Sequence, residues 1–326
     1  MSESMAGSPC KLRTAARLRP RGFLRNIRPT MKLIRDIHAA RKPGSKPVIS
    51  FEFFPPKTDE GEKTLFEKTV PALLKLNPHY CSVTYGAGGS TREKTLGIAQ
   101  RIQDEFGLLT LMHLTCVNAT KEEIRSVVLD AKSRGIDNIL ALRGDPPGGT
   151  GEFKATEGGF EFSHQLVRFL KEQGGFSIGT AGFPEGHIAC KEGREIDWER
   201  LKAKIDCGAD FVVTQLFFDN ADFFYFRDHL TKLGVKVPII AGVLPIMGAG
   251  QIRRFCQLCG AKIPATLESR LNEFAGDDEA CAKFGVEFAS RQCEELIRQG
   301  VPGIHFYTLN KVPSTAAIMG NLGLAR

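Results

Sequence analysis

The chain has 326 residues, 42% of them hydrophobic, enough to bury a sizeable core and near the usual size of one α/β barrel domain. Its formal net charge of +7 is concentrated in residues 1–30, where Lys11, Arg13, Arg17, Arg19, Arg21, Arg25 and Arg28 face Glu3 alone. The rest is nearly neutral and gives no electrostatic reason to expect nucleic-acid or membrane partners, and no apolar run is long enough to cross a bilayer.

In chain order, residues 1–30 lack the apolar stretch of a secretory signal. Being Arg-rich and acid-poor, they suit an organellar transit peptide or, equally, an upstream or disordered arm, and Met31 opens a sensible domain start. The expected organisation is a basic extension over 1–30 and one folded domain over 31–326. Nine cysteines, an odd number scattered along the chain, argue for free thiols in a reducing compartment, hence a cytoplasmic location, or an organellar one if the extension is a transit peptide.

From residue 47 onward, short β-branched apolar runs alternate with longer amphipathic ones, the mark of repeated βα units. Eight strands are predicted, over 47–54, 79–85, 109–114, 137–142, 177–183, 210–217, 238–244 and 303–309. Helix starts are marked by capping boxes at Ser90–Glu93 and Thr120–Glu123, and helix ends by Gly135, Gly208, Gly234 and Gly300. Eight even units predict a closed (β/α)8 TIM barrel rather than an open doubly wound sheet. Residues 246–300 should add two or three helices before the last strand. Within them Cys256 and Cys259 form a C-x-x-C that suits ordinary burial on one helix face; with no second pair, no metal is expected.

Polar residues interrupt the strands mainly at their C-terminal ends: Glu52, Thr84, His113, Arg143 with Asp145, Gln215 and Tyr307. In a TIM barrel those ends form one mouth, where active sites are built. Strand alternation puts Ser50, Glu52 and Phe54 on one face. A carboxyl among aromatic residues should have a raised pKa, making Glu52 a candidate general acid; the plainer reading is a salt-bridged carboxylate at the rim. Arg143-Gly144-Asp145 offers a cation and an anion to a ligand, or else an internal ion pair. His113 alone reads as a satisfied core histidine. Tyr85-Gly86-Ala87-Gly88-Gly89 follows a strand and lets a phosphate or ring approach the backbone, but it is not a Rossmann fingerprint, since Thr91 stands where the third glycine should be.

Together the segments SFEFFPPK, SVTYGAGGSTR, HLTC, ALRGDPP, TQLFFD and HFYTLN, in that order over about 47–311, closely resemble the methylenetetrahydrofolate reductase family. The resemblance implies a barrel holding FAD non-covalently, which takes hydride from NADH or NADPH and passes it to 5,10-methylenetetrahydrofolate, making 5-methyltetrahydrofolate by a ping-pong route in one-carbon metabolism and methionine synthesis. It also implies a homo-oligomer. By the same resemblance Glu52 is the general acid and Asp145 a catalytic carboxylate that recognises the pterin beside the flavin. Gln215 would contact both folate and nicotinamide, Thr84 the nicotinamide, and Gln251, Phe255, Tyr307 and Lys311 the folate. Tyr85, Ala87, His113, Arg143, Gly144, Asp145 and Ser163 would line the flavin and its phosphates, with Phe183, His187, Asp197 and Lys204 at its outer ribose and adenine end.

The resemblance departs at Phe183, where tyrosine is common, at Ile188 after His187, where proline is usual, at Arg200 and Ala203, and at Lys311, where arginine is usual. Lysine there keeps a charge for the folate glutamate carboxylate without the bidentate fork. The chain ends soon after HFYTLN, so the S-adenosylmethionine-binding regulatory region of many eukaryotic relatives is not expected. A second reading is a catalytically silent barrel retained as a binding partner or subunit of a larger complex; loss of Glu52 or Asp145 would have favoured it, and neither is lost. A proline dehydrogenase-like flavin barrel would share fold and cofactor but not folate.

Overall fold

The computed structural model describes residues 33–85, 92–145 and 153–325; the basic extension over 1–30, with the whole Gly86–Gly89 turn and Ala87 in it, lies outside them. Eight parallel strands close in sequence order into a barrel: β1 Val48–Phe53, β2 Tyr80–Val83, β3 Thr110–Thr115, β4 Asn138–Leu142, β5 Ser177–Gly182, β6 Phe211–Thr214, β7 Ile239–Val243 and β8 Gly303–Tyr307. All eight predicted strands form. Several stop short of the predicted C-terminal boundary because the apolar run continues for another reason. Leu216 and Phe218 follow β6 but turn into a separate apolar cluster, and Leu309 and Asn310 follow β8 in the left-handed region, at φ 50° and 58°.

Helices cover the outer face, among them Arg92–Phe106, Lys121–Ser133, Ser163–Gln173, Arg194–Asp206 and Asn220–Lys232. The Thr120 capping box forms as the sequence requires, with Thr120 Oγ1 accepting from Glu123 N–H (3.2 Å) and Glu123 Oε2 from Thr120 N–H (2.7 Å). Its counterpart at Ser90 falls outside the described residues. Gly135, Gly208, Gly234 and Gly300 end their helices with positive φ.

Three apolar clusters organise the interior. The largest lies between strands and helices. A second fills the lower barrel, where Val48, Tyr80, Leu111, Leu140, Phe211 and Ile240 meet inside, and Ile34, on the short helix Ile34–Ala39, joins them. β5 contributes no side chain at Gly179, where a Cβ would come within 2.5 Å of the Phe211 ring. The third joins Leu216, Phe218, Leu244 and Ile246 to the three helices between β7 and β8, Ala249–Cys259, Ala265–Glu273 and Asp278–Arg298. This insertion thus carries its own small core, seated beyond the ends of β6 and β7. Cys256 is buried in that core and both it and Cys259 are free thiols.

His38, on the helix Ile34–Ala39, packs against Tyr80 and Phe211 with ring centroids 6.5 and 6.3 Å away, and among the described residues neither ring nitrogen has a hydrogen-bond partner. Burial first, then the nearby charges of His79 and Arg41, push it down from its usual 6.5 to about 4. With the folded value below the unfolded one, the unfolded chain binds the extra proton between those limits, so stability is full above the upper limit and is lost as pH falls toward the lower. Urea unfolding should therefore show wild type losing roughly 2 kcal/mol more than His38→Leu between about pH 7 and about pH 5. Parallel losses would contradict this account of the barrel floor.

Candidate active site

Ser50 and Glu52, two apart on β1, share the barrel-facing side, and the register sets Ser50 beside Tyr80 and His305, and Glu52 beside Ser82 and Tyr307. Glu52 is consequently buried, 5% exposed, at the mouth end of its strand. The Ser82 hydroxyl donates to Glu52 Oε2 (3.2 Å), and His305 Nε2 lies 3.4 Å from the same oxygen. The Ser50 hydroxyl sits 2.7 Å from His305 Nδ1. With that hydroxyl donating to Nδ1, Nε2 carries the hydrogen and directs it at the carboxylate.

From β3, His113 Nε2 also stands 3.4 Å from Glu52 Oε2, but without the alignment of a hydrogen bond, so the buried ring nitrogen stays unmatched among the described residues. Burial pushes His113 down to about 4, against the opposing pull of Glu52, so its ring is neutral at ordinary pH.

The raised pKa expected for Glu52 is corrected by these neighbours. Burial does push it up and is the largest influence. The hydrogen bond from His305, the electrostatic pull of the His113 and His305 rings and the Ser82 hydroxyl together outweigh burial, and Glu52 lies below its ordinary value. Nor, among the described residues, is it salt-bridged at the rim to a lysine or arginine: its close partners there are imidazoles and a hydroxyl.

The backbone around Glu52 is pinned by the segment after β8. Thr308 Oγ1 donates to Glu52 O (2.6 Å), Asn310 Nδ2 donates to Phe54 O (2.8 Å), and Asn310 Oδ1 accepts from Phe54 N–H (3.0 Å). Asparagine is among the few non-glycine residues that tolerate the left-handed φ of 58° found there.

A second sector forms at the ends of β4 and β5. His187 is influenced by Asp197, Arg143, Asp145 and Lys204 at once, which brings five sequence-predicted residues into one neighbourhood. His187 N–H donates to Asp197 Oδ2 (3.1 Å), and the Phe183 ring meets His187 edge-on at 4.5 Å. Burial lowers Lys204 to about 8, opposed by Asp197 and aided by Arg143. The Arg143 guanidinium lies 5.0 Å over the Phe153 ring. Gly144, at φ 88°, has no room for a Cβ, which would fall 2.7 Å from Val117 and 2.9 Å from Thr115. Ser163 begins the helix Ser163–Gln173 and is buried. Tyr85 accepts from Arg92 Nε (2.8 Å), and Thr84 leaves β2 half-buried with its N–H on Phe53 O (3.0 Å).

Gln215 follows β6, its N–H on Gly182 O (2.7 Å) and its Oε1 accepting from Leu216 N–H (2.9 Å), which leaves the amide NH2 as its free donor. Tyr307 presents ring surface more than a hydroxyl, since its OH donates to Thr214 O (2.5 Å) across the barrel and its ring meets His305 at 5.3 Å. Phe255 packs on the insertion's core, while Gln251 and Lys311 are exposed. Ser82 and His305 are the residues that sequence reasoning missed. Each stands on the same face of its strand as the mouth residues, His305 two before Tyr307, so alternation was the available signal.

Among known proteins, residues 36–323 match the family model for methylenetetrahydrofolate reductase. The chain is 38% identical over 276 residues to 5,10-methylenetetrahydrofolate reductase of Escherichia coli K12, covering 85% of this chain and 90% of that protein. It is 40% identical over 304 residues to methylenetetrahydrofolate reductase (NADH) 1 of Arabidopsis thaliana, covering 90% of this chain but 51% of the relative, so it spans about half the length of the plant relatives it matches. An uncharacterized protein from Clostridium thermocellum that binds two copies of 5-methyl-5,6,7,8-tetrahydrofolic acid aligns with a TM-score of 0.58 at 16% identity, over 90% of this chain and 99% of that one, a likeness of fold.

Replacing Asn310 with alanine removes both bonds to the Phe54 backbone and puts alanine where φ is positive. The expected cost is about 2 kcal/mol in chemical denaturation, with glycine recovering the part due to φ alone. An Asn310→Ala protein as stable as wild type would show that this clamp does not hold β1.

Proposed function

The chain belongs to the methylenetetrahydrofolate reductase family, and from that premise we propose that it reduces 5,10-methylenetetrahydrofolate to 5-methyltetrahydrofolate, drawing hydride from NADH or NADPH through a non-covalently held FAD. The observation that carries the reading is Glu52, a buried carboxyl at the mouth of the barrel whose close partners are imidazoles and a hydroxyl rather than a lysine or arginine. Such a group can exchange a proton with a ligand, which a carboxylate locked to arginine does poorly.

The chain's own residues fit a flavin dinucleotide. The half-buried Lys204, with Arg143 close enough to lower it further, places two positive charges suited to a diphosphate. His113 keeps a buried ring nitrogen unmatched among the described residues. Arg143, Gly144, Asp145, Ser163 and Lys204, with Tyr85, Ala87 and His113, would hold the flavin and phosphates, and Phe183, His187 and Asp197 the outer end. When bound, FAD supplies the hydride relay between the two substrates.

Glu52 would give a proton to the folate nitrogen that leaves as the methylene bridge opens. In the structure its neighbours favour the charged form. Ligands closing the mouth displace water and strengthen burial, which is already the largest influence on Glu52 and favours the neutral acid. Asp145 would orient the pterin, Gln215 would offer its free amide to folate and nicotinamide in turn, Thr84 would contact the nicotinamide, and Gln251, Phe255, Tyr307 and Lys311 would complete the folate side. The plant relatives' names specify NADH, which favours NADH as donor. Among the described residues no helix is long and apolar enough to cross a membrane.

Rapid-mixing kinetics on Glu52→Gln test the reading. Reduction by NADH should stay within about twofold of wild type, while transfer to methylenetetrahydrofolate falls by about two orders of magnitude or more, since only the second half needs the acid. Folate reduction at the wild-type rate would remove Glu52 from this role.

A further inference from the structure

The turn after β5 and the link between the first two inserted helices meet across one side of the mouth. The turn is tight: Gly186 N–H returns to Phe183 O (2.9 Å), and Gly186, at φ 85°, has Arg194 where a Cβ would stand. Trp198 Nε1 holds its base by donating to Phe183 O (2.8 Å). This geometry throws Glu185 outward, and both its carboxylate oxygens accept from the backbone N–H of Lys262, at 3.0 and 3.2 Å. Three residues on from Glu185, Ile188 packs on Gly260, whose missing Cβ would lie 2.9 Å from Ile188 Cβ. Beneath this double contact is a recess lined by Phe183, Gln215, Leu216 and Cys259.

We propose that Glu185 is a positioning residue, a latch that ties the β5 turn to the helical insertion and so fixes the wall of the mouth beside Gln215 against which substrate is placed. The inference rests on the reading of Gln215 as a contact for folate and nicotinamide. Its physical basis is that the insertion has a core of its own and meets the β5 turn at Glu185–Lys262 and Ile188–Gly260. Of these, the contact at Lys262 is a charge-assisted hydrogen bond to a main-chain donor, stronger than a neutral one. The acceptor matters and the lysine side chain does not. Glu185 is half-buried, and burial raises its carboxyl above the usual range while the Lys262 N–H opposes the rise. A residue with these costs and no direct line to Glu52 earns its place by holding two segments together.

Three full-length variants separate the possibilities: Glu185→Ala removes the acceptor, Glu185→Gln keeps one, and Lys262→Ala leaves the main-chain donor intact. Amide hydrogen exchange over 183–187 and 259–263 should quicken about tenfold in Glu185→Ala alone, the size expected when one charge-assisted bond is lost. In steady state the KM for methylenetetrahydrofolate and for NADH should rise about tenfold in the alanine variant, with kcat within about twofold and the glutamine variant close to wild type. Wild-type exchange in both segments of Glu185→Ala overturns the latch. So does a kcat loss at unchanged KM, which would mark a chemical role. If the wild-type chain turns over no methylenetetrahydrofolate, the proposed function fails, and the exchange data still decide whether the latch exists.

Discussion

A carboxyl buried at the mouth of a barrel, met among the described residues by imidazoles and a hydroxyl, is the constraint around which this structure is arranged. Taking Glu52 out of water is costly unless its oxygens are met. Ser82 and His305 meet one of them directly, with Ser50 against the other ring nitrogen of His305, and His113 faces it from β3. The backbone is held as firmly as the side chain, through Thr308 on Glu52 O and Asn310 on both polar groups of Phe54. Two consecutive left-handed residues after β8 are part of that clamp, a local strain at the place where position matters most.

Charge is distributed around this centre by sector. The β4 and β5 ends gather the cations Arg143 and Lys204, the His187 ring and the carboxylates Asp145 and Asp197. The β6, β7 and β8 ends present amide, ring and apolar surface from Gln215, Tyr307 and the insertion. Under the proposed function, the first sector would take the dinucleotide and the second a conjugated heterocycle.

Much of this was legible in the sequence. The eight strands could be read because each is a β-branched run bounded by turn chemistry, and the mouth residues because polar side chains at strand ends are conspicuous in such runs. The strand ends after β6 and β8 were over-read because apolar Leu216 and Phe218 serve the insertion's core and not the sheet. Ser82 and His305 escaped because their role depends on register between β1, β2 and β8, and β8 is some 250 residues away in the chain. The sign of the Glu52 shift failed for the same reason. Phe51, Phe53 and Phe54 are visible beside it in sequence and argue for burial, whereas the imidazoles that reverse burial come from other strands. Glu185 was invisible because its partner is a backbone N–H in a distant link.

The most direct test of the account is the visible spectrum of the purified chain, loaded with FAD and kept anaerobic, as NADH and then methylenetetrahydrofolate are added. Bleaching of the oxidised-flavin band by NADH and its return with folate, with 5-methyltetrahydrofolate formed in equal amount, is the predicted result. A chain that takes up no FAD, or whose bleached flavin is not reoxidised by folate, would contradict it.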